Sequence, residues 1–363
     1  TIFFLLVGLE IKRELLVGEL SSFRKAALPF IAACGGMLLP VLVFMSICPP
    51  GSEGGQGLAI PMATDIAFSL GVLSLLGSRV PLSLKIFLTA FAVVDDIGGI
   101  LVIAIFYSSH VSYGYILVAV LLYILLYFIG KRGATNKIFF LVIGVVIWYL
   151  FLQSGIHSTI SGVILAFVIP AKPRLDVGKY IEHIRHTIAG FPVMESGSIV
   201  LTNEQIAKLK EVESASDRVI SPLQSFEDNL HGAVNYLILP LFAFVNAGVV
   251  FSGGGELVGD VGIAVAAGLL FGKFAGIYFF TWLAIKIKLT PMPPGMTWTN
   301  LSGIALLGGI GFTVSLFIAN LSFGANFPIL LNQAKFGVLS GTILSGLLGY
   351  IVLWIVLPAR RRK

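Results

Sequence analysis

Apolar residues in this chain come in long unbroken runs rather than in alternation. A helix that crosses a bilayer needs roughly 20 apolar residues. Runs of that kind occupy 26–48, 57–78, 81–107, 113–130, 138–152, 155–170, 232–251, 261–284, 300–323 and 336–357, and a truncated run occupies 1–9. Continuous runs argue against a membrane β-barrel, whose strands alternate polar and apolar positions. They read as helices that satisfy their own backbone hydrogen bonds in lipid. The pattern predicts an all-α polytopic membrane protein with about ten full transmembrane runs. The run at 1–9 reaches charge at Glu10 and lacks the basic start of a signal peptide. It is expected to be half of a helix that begins upstream.

One stretch departs from the pattern. Residues 172–231 are polar, and Thr202-Asn-Glu-Gln205 ahead of Ile206, Leu209 and Val212 has the spacing of a capped amphipathic helix. The chain therefore divides into an N-terminal transmembrane half at 1–171, a mostly cytoplasmic insertion at 172–231, and a C-terminal half at 232–363 that ends in a basic tail. The insertion reads as a solvated spacer, with a regulatory role as the alternative.

Composition agrees. Of 363 residues 57% are hydrophobic and only 12% charged, with mean hydropathy +0.97. A soluble domain carries about 25% charged residues, so a soluble enzyme, a disordered chain and a nucleic-acid-binding domain are excluded. The net charge of +6 reflects topology. Of the 24 lysines and arginines, 22 fall in alternate loops, Lys335 is alone in the opposite loops, and Lys273 lies within a run. That asymmetry is the positive-inside pattern and places the C-terminus in the cytoplasm. Cys34 and Cys48, about 21 Å apart along one helix, read as packing residues. They form neither a disulfide nor a metal pair.

Runs 26–48, 57–78 and 81–107 form a triplet that starts at the cytoplasm, and runs 261–284, 300–323 and 336–357 form one that starts outside. The middle run is interrupted in both: Ala59-Ile-Pro-Met-Ala-Thr-Asp-Ile66 in the first, and Gly308, Gly309 and Gly311 before Phe312-Thr-Val-Ser315 in the second. Interruptions at matching places in inverted halves predict discontinuous helices that cross at mid-membrane. Close glycine packing is the alternative for the second run, but it leaves Pro61 unexplained.

Four charges lie deep within runs: Asp65, Asp95, Asp96 and Lys273. Each costs about 2.5–3.5 kcal/mol on insertion scales, so they must pair, hydrate or bind something. Adjacent helical residues point about 100° apart. One of Asp95 and Asp96 can therefore face an ion cavity while the other meets Lys273. Burial and like charge favour the protonated carboxyl, so at least one of the pair is expected to hold a proton that a small cation displaces. Oxygen donors suit a hard cation. Asp65, after Thr64, supplies further oxygens or neutralises a half-helix N-terminus. An inert Asp95–Lys273 pair is the bland alternative, but three acids against one base leave a surplus.

Other chemistry fails. Gly272-Lys273 lacks the upstream glycine of a nucleotide loop, and no nucleophile–base set stands out. His157 reads as a packing residue. His110, His183 and His186 fall in loops without metal spacing. A passive cation channel and a Na+-coupled solute transporter remain as alternatives, separable by proton coupling and by mid-membrane aromatic or basic groups.

Leu5-Leu-Val-Gly-Leu-Glu-Ile-Lys-Arg-Glu14, Ala59–Phe68, Leu76–Phe87, Asp95-Asp96, Leu237–Phe244 and Gly309-Ile-Gly-Phe-Thr313 together resemble the NhaA family of Na+/H+ antiporters. That family is itself a known example of inverted repeats. The resemblance implies an inverted-repeat transporter, not an enzyme, needing no cofactor. Its cargoes would be Na+ or Li+ and H+, exchanged electrogenically by alternating access under pH control across a bacterial inner membrane. It implies that Asp96 and Asp95 bind the cation, with Thr64 and Asp65 near the site and Lys273 as charge partner. Glu10, Arg13, Glu14, Glu227 and His231 would form a pH-regulating cluster. Asp228 stands where the family can carry a histidine, which bears on the pH range. The family also implies a homodimer, through a hairpin upstream of Thr1.

Overall fold

The computed structural model describes residues 1–107, 111–132, 136–172, 177–191, 200–249, 258–324 and 326–357. Every regular element among them is helical. His110 and the basic tail, Arg360 to Lys363, lie outside the described residues.

The chain begins with α1 (Ile2–Val17), which continues as a helix past Glu10 and Glu14. α2 (Phe23–Ile47) is a full span that carries Pro29 and Pro40. The next run does not form one helix. Short 3-10 turns at Glu53–Gly57 and Ile60–Met62 give way to non-helical backbone at 63–65 and then to α3 (Ile66–Ser74), with a bend of 46°. Three further spans follow, α4 (Leu82–Phe106), α5 (Tyr113–Lys131) and α6 (Lys137–Ser154). Then come α7 (Thr159–Val168), and α8 (Val177–Ala189) and α9 (Asn203–Val219) of the polar segment.

α10 (Pro222–Ala233) runs through a π turn at Val234–Ile238 into α11 (Leu239–Asn246). Pro240 lies just past that turn and lacks the N–H an α-helical ladder needs there. α12 (Asp260–Ala267), a second π turn at Gly268–Gly272 and α13 (Lys273–Lys286) make one span. α14 (Trp298–Leu307) and α15 (Phe312–Phe323) are the second broken run, bent by 44°, and α16 (Pro328–Val356) follows.

Among the described residues six helices are long and apolar enough to span, eight if each bent pair counts as one. Two of the expected runs take a form of their own. Run 155–170 folds as the ten-residue α7, because Gly155 (φ 83°) opens it with a left-handed turn and Pro170 follows its end. At about 1.5 Å per residue α7 covers half a bilayer core. Run 232–251 is shifted toward the N-terminus, as part of one helical stretch from Pro222 to Asn246. Two placements also change. Lys335 lies inside α16, which Pro328 starts seven residues earlier, and His183 and His186 lie on α8. The expected cap on α9 forms: Gln205 Oε1 accepts the Thr202 N–H at 2.9 Å, and Thr202 Oγ1 accepts the Gln205 N–H at 3.3 Å.

The two triplets pack into each other. α2 lies along α13, and their backbones nearly touch: a Cβ on Gly35 would stand 2.4 Å from the Gly276 carbonyl oxygen. Small residues at such crossings replace the hydrophobic drive that lipid removes. α16 packs on α12, α14 and α15, and α2 on α4. A second cluster, with Leu5, Leu9, Tyr123, Ile147, Leu165 and Phe226, joins α1, α5, α6, α7 and α10. Leu117, Leu121, Ile343 and Leu347 are exposed, forming faces suited to lipid.

A candidate ion site where two broken helices cross

The breaks of the two bent runs meet. Asp65 caps α3 by accepting the Phe68 N–H on Oδ1 at 3.0 Å. Its Oδ2 accepts the Thr313 N–H at 3.0 Å and the Thr313 hydroxyl at 2.5 Å, in the first turn of α15. One carboxylate thus answers the positive ends of two helices. Of the two roles open to Asp65, the geometry favours neutralising helix ends. The Asp65 N–H also donates to Ile310 O at 2.6 Å, tying the breaks together. Ser315 Oγ donates to Ile60 O at 2.7 Å and Ser69 Oγ to Leu307 O at 3.0 Å. A side chain has no room at Gly309, where a Cβ would come within 2.3 Å of Leu269 O.

The carbonyl end of α14 is answered differently. Thr64 Oγ1 donates to Gly308 O at 2.8 Å and accepts from Lys273 Nζ at 2.9 Å. Lys273 is wholly buried, donates to Asp95 Oδ2 at 2.6 Å and lies 5.7 Å from the Phe91 ring centre. Asp95 Oδ1 is buried without a hydrogen-bond partner. Its neighbour on α4, Asp96, turns elsewhere, into a cavity of about 910 Å3 also lined by Thr64, Asp65, Glu10 and His231. The Asp96 carboxylate has no hydrogen-bond partner among the described residues. The division of labour expected of adjacent helical acids is present.

At the rim of the same cavity α1 meets α10. Arg13 Nη1 stands 3.1 Å from Glu227 Oε1, and its Nη2 is 3.8 Å from Glu14 Oε1. His231 Nε2 lies 3.5 Å from Glu10 Oε1 and 3.7 Å from Glu227 Oε1. Burial pushes the Glu10 carboxyl up to about 7, the charges of Glu227 and Glu14 push the same way, and Arg13 opposes them. Burial also raises Glu227, with Asp228 adding and Arg13 and His231 opposing.

All ten candidate residues therefore fall into two groups along one cavity. Sequence reasoning missed Thr313 and Ser315 as closures of the crossing; their place in the broken run was the available signal. It also missed Lys12, whose ammonium donates to carbonyls at the end of α7, among them Phe167 O at 2.7 Å. His157 packs its ring edge-on against Phe317 and shares a 2.8 Å hydrogen bond with Thr159, as expected of a packing residue. Cys34 and Cys48 are free.

Residues 1–353 match the family model described as Na+/H+ antiporter 1. The chain belongs to that family. A relative from Bacteroides thetaiotaomicron bearing the name Na(+)/H(+) antiporter NhaA is 94% identical over all 363 residues, which span 83% of its own length. A Bacteroides fragilis NhaA is 81% identical over 361 residues, 99% of this chain and 83% of the relative. One from Phocaeicola vulgatus is 63% identical over 359 residues, 98% of this chain and 80% of the relative. The NhaA resemblance carried by the motifs is thereby shown, and these relatives are transporters rather than enzymes.

Proposed function

We propose that the protein exports Na+, or Li+, in exchange for protons across a bacterial inner membrane with its C-terminus in the cytoplasm, and that Asp95 and Asp96 are where cation and proton compete. One observation carries this reading. In a core whose other deep charges are paired or cap helix ends, the Asp96 carboxylate faces a cavity with no hydrogen-bond partner among the described residues, beside an unsatisfied Asp95 oxygen. A desolvated carboxylate is stabilised either by a proton or by a bound cation. With the cavity open to the cytoplasm, Na+ displaces protons at the pair. The site then reorients about the crossed breaks, releases Na+ outside, and takes protons back. Mutually exclusive occupancy couples the two fluxes. Exchange of more than one proton per Na+ moves net charge inward, and each charge contributes about 2.3 kcal/mol per 100 mV. The transport is on this reading electrogenic.

The rim cluster supplies the pH response. Glu10 ionises near pH 7 and faces Glu227, Glu14, Arg13 and His231 across α1 and α10, with Asp96 deeper in the same cavity. Loss of its proton changes the charge that an entering cation meets.

Asp96→Asn in everted membrane vesicles tests the core claim. The variant is expected to lose Na+-dependent dissipation of a proton gradient, and wild-type exchange in that variant would overturn the assignment.

A further inference from the structure

A second cation site is built at the rim. We propose that Glu10, Glu227 and His231 bind one divalent transition-metal ion of the Zn2+ type. One ligand atom from each residue lies within 4.8 Å of the others. The distances have the scale of a coordination sphere. Metal–ligand bonds of about 2.0–2.2 Å in tetrahedral geometry hold neighbouring donor atoms about 3.4 Å apart, and His231 Nε2 stands 3.5 Å and 3.7 Å from the two glutamate oxygens. Glu227 and His231 are four apart on α10 and share a face. Glu10 comes from α1, packed alongside.

Glu227 Oε1 gives the independent sign. It is buried and accepts no hydrogen bond, although the Arg13 guanidinium stands 3.1 Å away as an ion partner. A carboxylate oxygen in that state gains from a cation bound directly to it. On the far side of the imidazole, the Asn235 amide nitrogen Nδ2 is 3.5 Å from His231 Nδ1. Turning that amide end for end would set its oxygen against Nδ1, which then keeps its proton and leaves the Nε2 lone pair to the two carboxylates. Such an outer hydrogen bond orients metal-bound histidines generally.

The donor set decides the class of ion. One imidazole with two carboxylates favours Zn2+ and its first-row neighbours over Mg2+, Ca2+ and Na+, which prefer all-oxygen shells. The site is therefore distinct in chemistry from the pair Asp95 and Asp96. Three protein ligands leave a fourth position for water. Glu10 and His231 line the cavity that leads to Asp96, so a bound ion stands in that path. On the antiport reading above, it blocks exchange.

The test titrates Zn2+ alone against a competing chromophoric chelator. The protein is purified in detergent with a histidine-free tag, freed of metal and held at pH 7.5. One Zn2+ per chain is expected. His231→Ala and Glu227→Gln should each weaken it at least about tenfold, while Arg13→Gln, which removes the competing guanidinium, should tighten it. His183→Ala should leave binding unchanged, because His183 forms its own pair with Glu211 at 3.4 Å on α8 and α9. No bound zinc, or equal affinity in wild type, His231→Ala and Glu227→Gln, overturns the site. His231 is partly exposed and so tolerant of truncation, and matched gel-filtration profiles exclude misfolding as the cause. Zinc should also inhibit exchange in wild-type vesicles more strongly than in His231→Ala vesicles. Equal inhibition overturns the block while the titration still supports the site. The titration needs no transport, so it stands even if Asp96→Asn vesicles exchange normally.

Discussion

The two ends of the cavity handle charge in opposite ways. At the deep end, Asp65 is committed to two helix N-termini and Lys273 to Asp95 and Thr64, and these side chains are all but fully buried. Asp96 is left over, and that leaves one defined place for an ion. At the rim, Glu10, Glu14, Glu227 and Asp228 outnumber Arg13, and the His231 side chain is 41% exposed. Arg13 and His231 reach far into water, while burial raises Glu10 and Glu227, so the group is built to change protonation rather than to hold a fixed pattern. Deep charge balanced bond by bond gives selectivity, and shallow charge left in surplus gives response.

The contrast can be attacked from its strongest claim downward. Lys273→Ala strands Asp95 in the core, and breaking a buried ion pair costs about 3–5 kcal/mol. A large loss of thermal stability in detergent is expected, with much of it restored in the Asp95→Asn/Lys273→Ala double variant. A single variant as stable as wild type would show that the deep end is not balanced pairwise. Asp65→Ala removes the caps of α3 and α15 together, for about 1–4 kcal/mol on typical cap values. Asp65→Asn should retain more stability, since asparagine caps as well. Equal melting of Ala and Asn variants would mean that the helix ends find other partners.

Glu10→Gln gives the smallest effect and probes the rim. The Glu10 carboxyl titrates near 7 in the folded protein, above its ordinary value of 4.5. Between those values the folded state keeps a proton that the unfolded chain has lost, so stability falls as pH rises through this window and the penalty is complete above it. Glu10→Gln should therefore melt above wild type at pH 8.5 and with it at pH 4.5 or below. Its exchange activity should change less steeply than wild type across pH 7. An unaltered pH profile would remove Glu10 from the pH response.

Much of this was readable in the chain because lipid imposes blunt requirements. Spans must be long and apolar, so α2, α4, α5, α6 and α16 stand out, and Pro61 and Gly308–Gly311 betray the breaks. The adjacency of Asp95 and Asp96 alone dictates that they face different ways. Other features depend on conformation or on distant partners. The sequence breaks its apolar run at Gln153 and Ser154, but only the structure shows a left-handed turn at Gly155 and a helix that starts as late as Thr159. Asp65 satisfies Thr313, which lies 248 positions away. The Glu227–His231 spacing is visible on one helix, but the third member, Glu10, arrives through the packing of α1 on α10.

The Thr64 hydroxyl owns a single hydrogen, and it is spent on Gly308. Toward Lys273 this oxygen is therefore obliged to act as a lone-pair donor, and it can do so only while the lysine amine points an N–H at it. Should the lysine swing aside, Thr64 forfeits that contact while keeping its hold on the end of α14, one of several ties there between the two breaks. A displacement of one amine is in this way felt at a backbone break belonging to the other repeat.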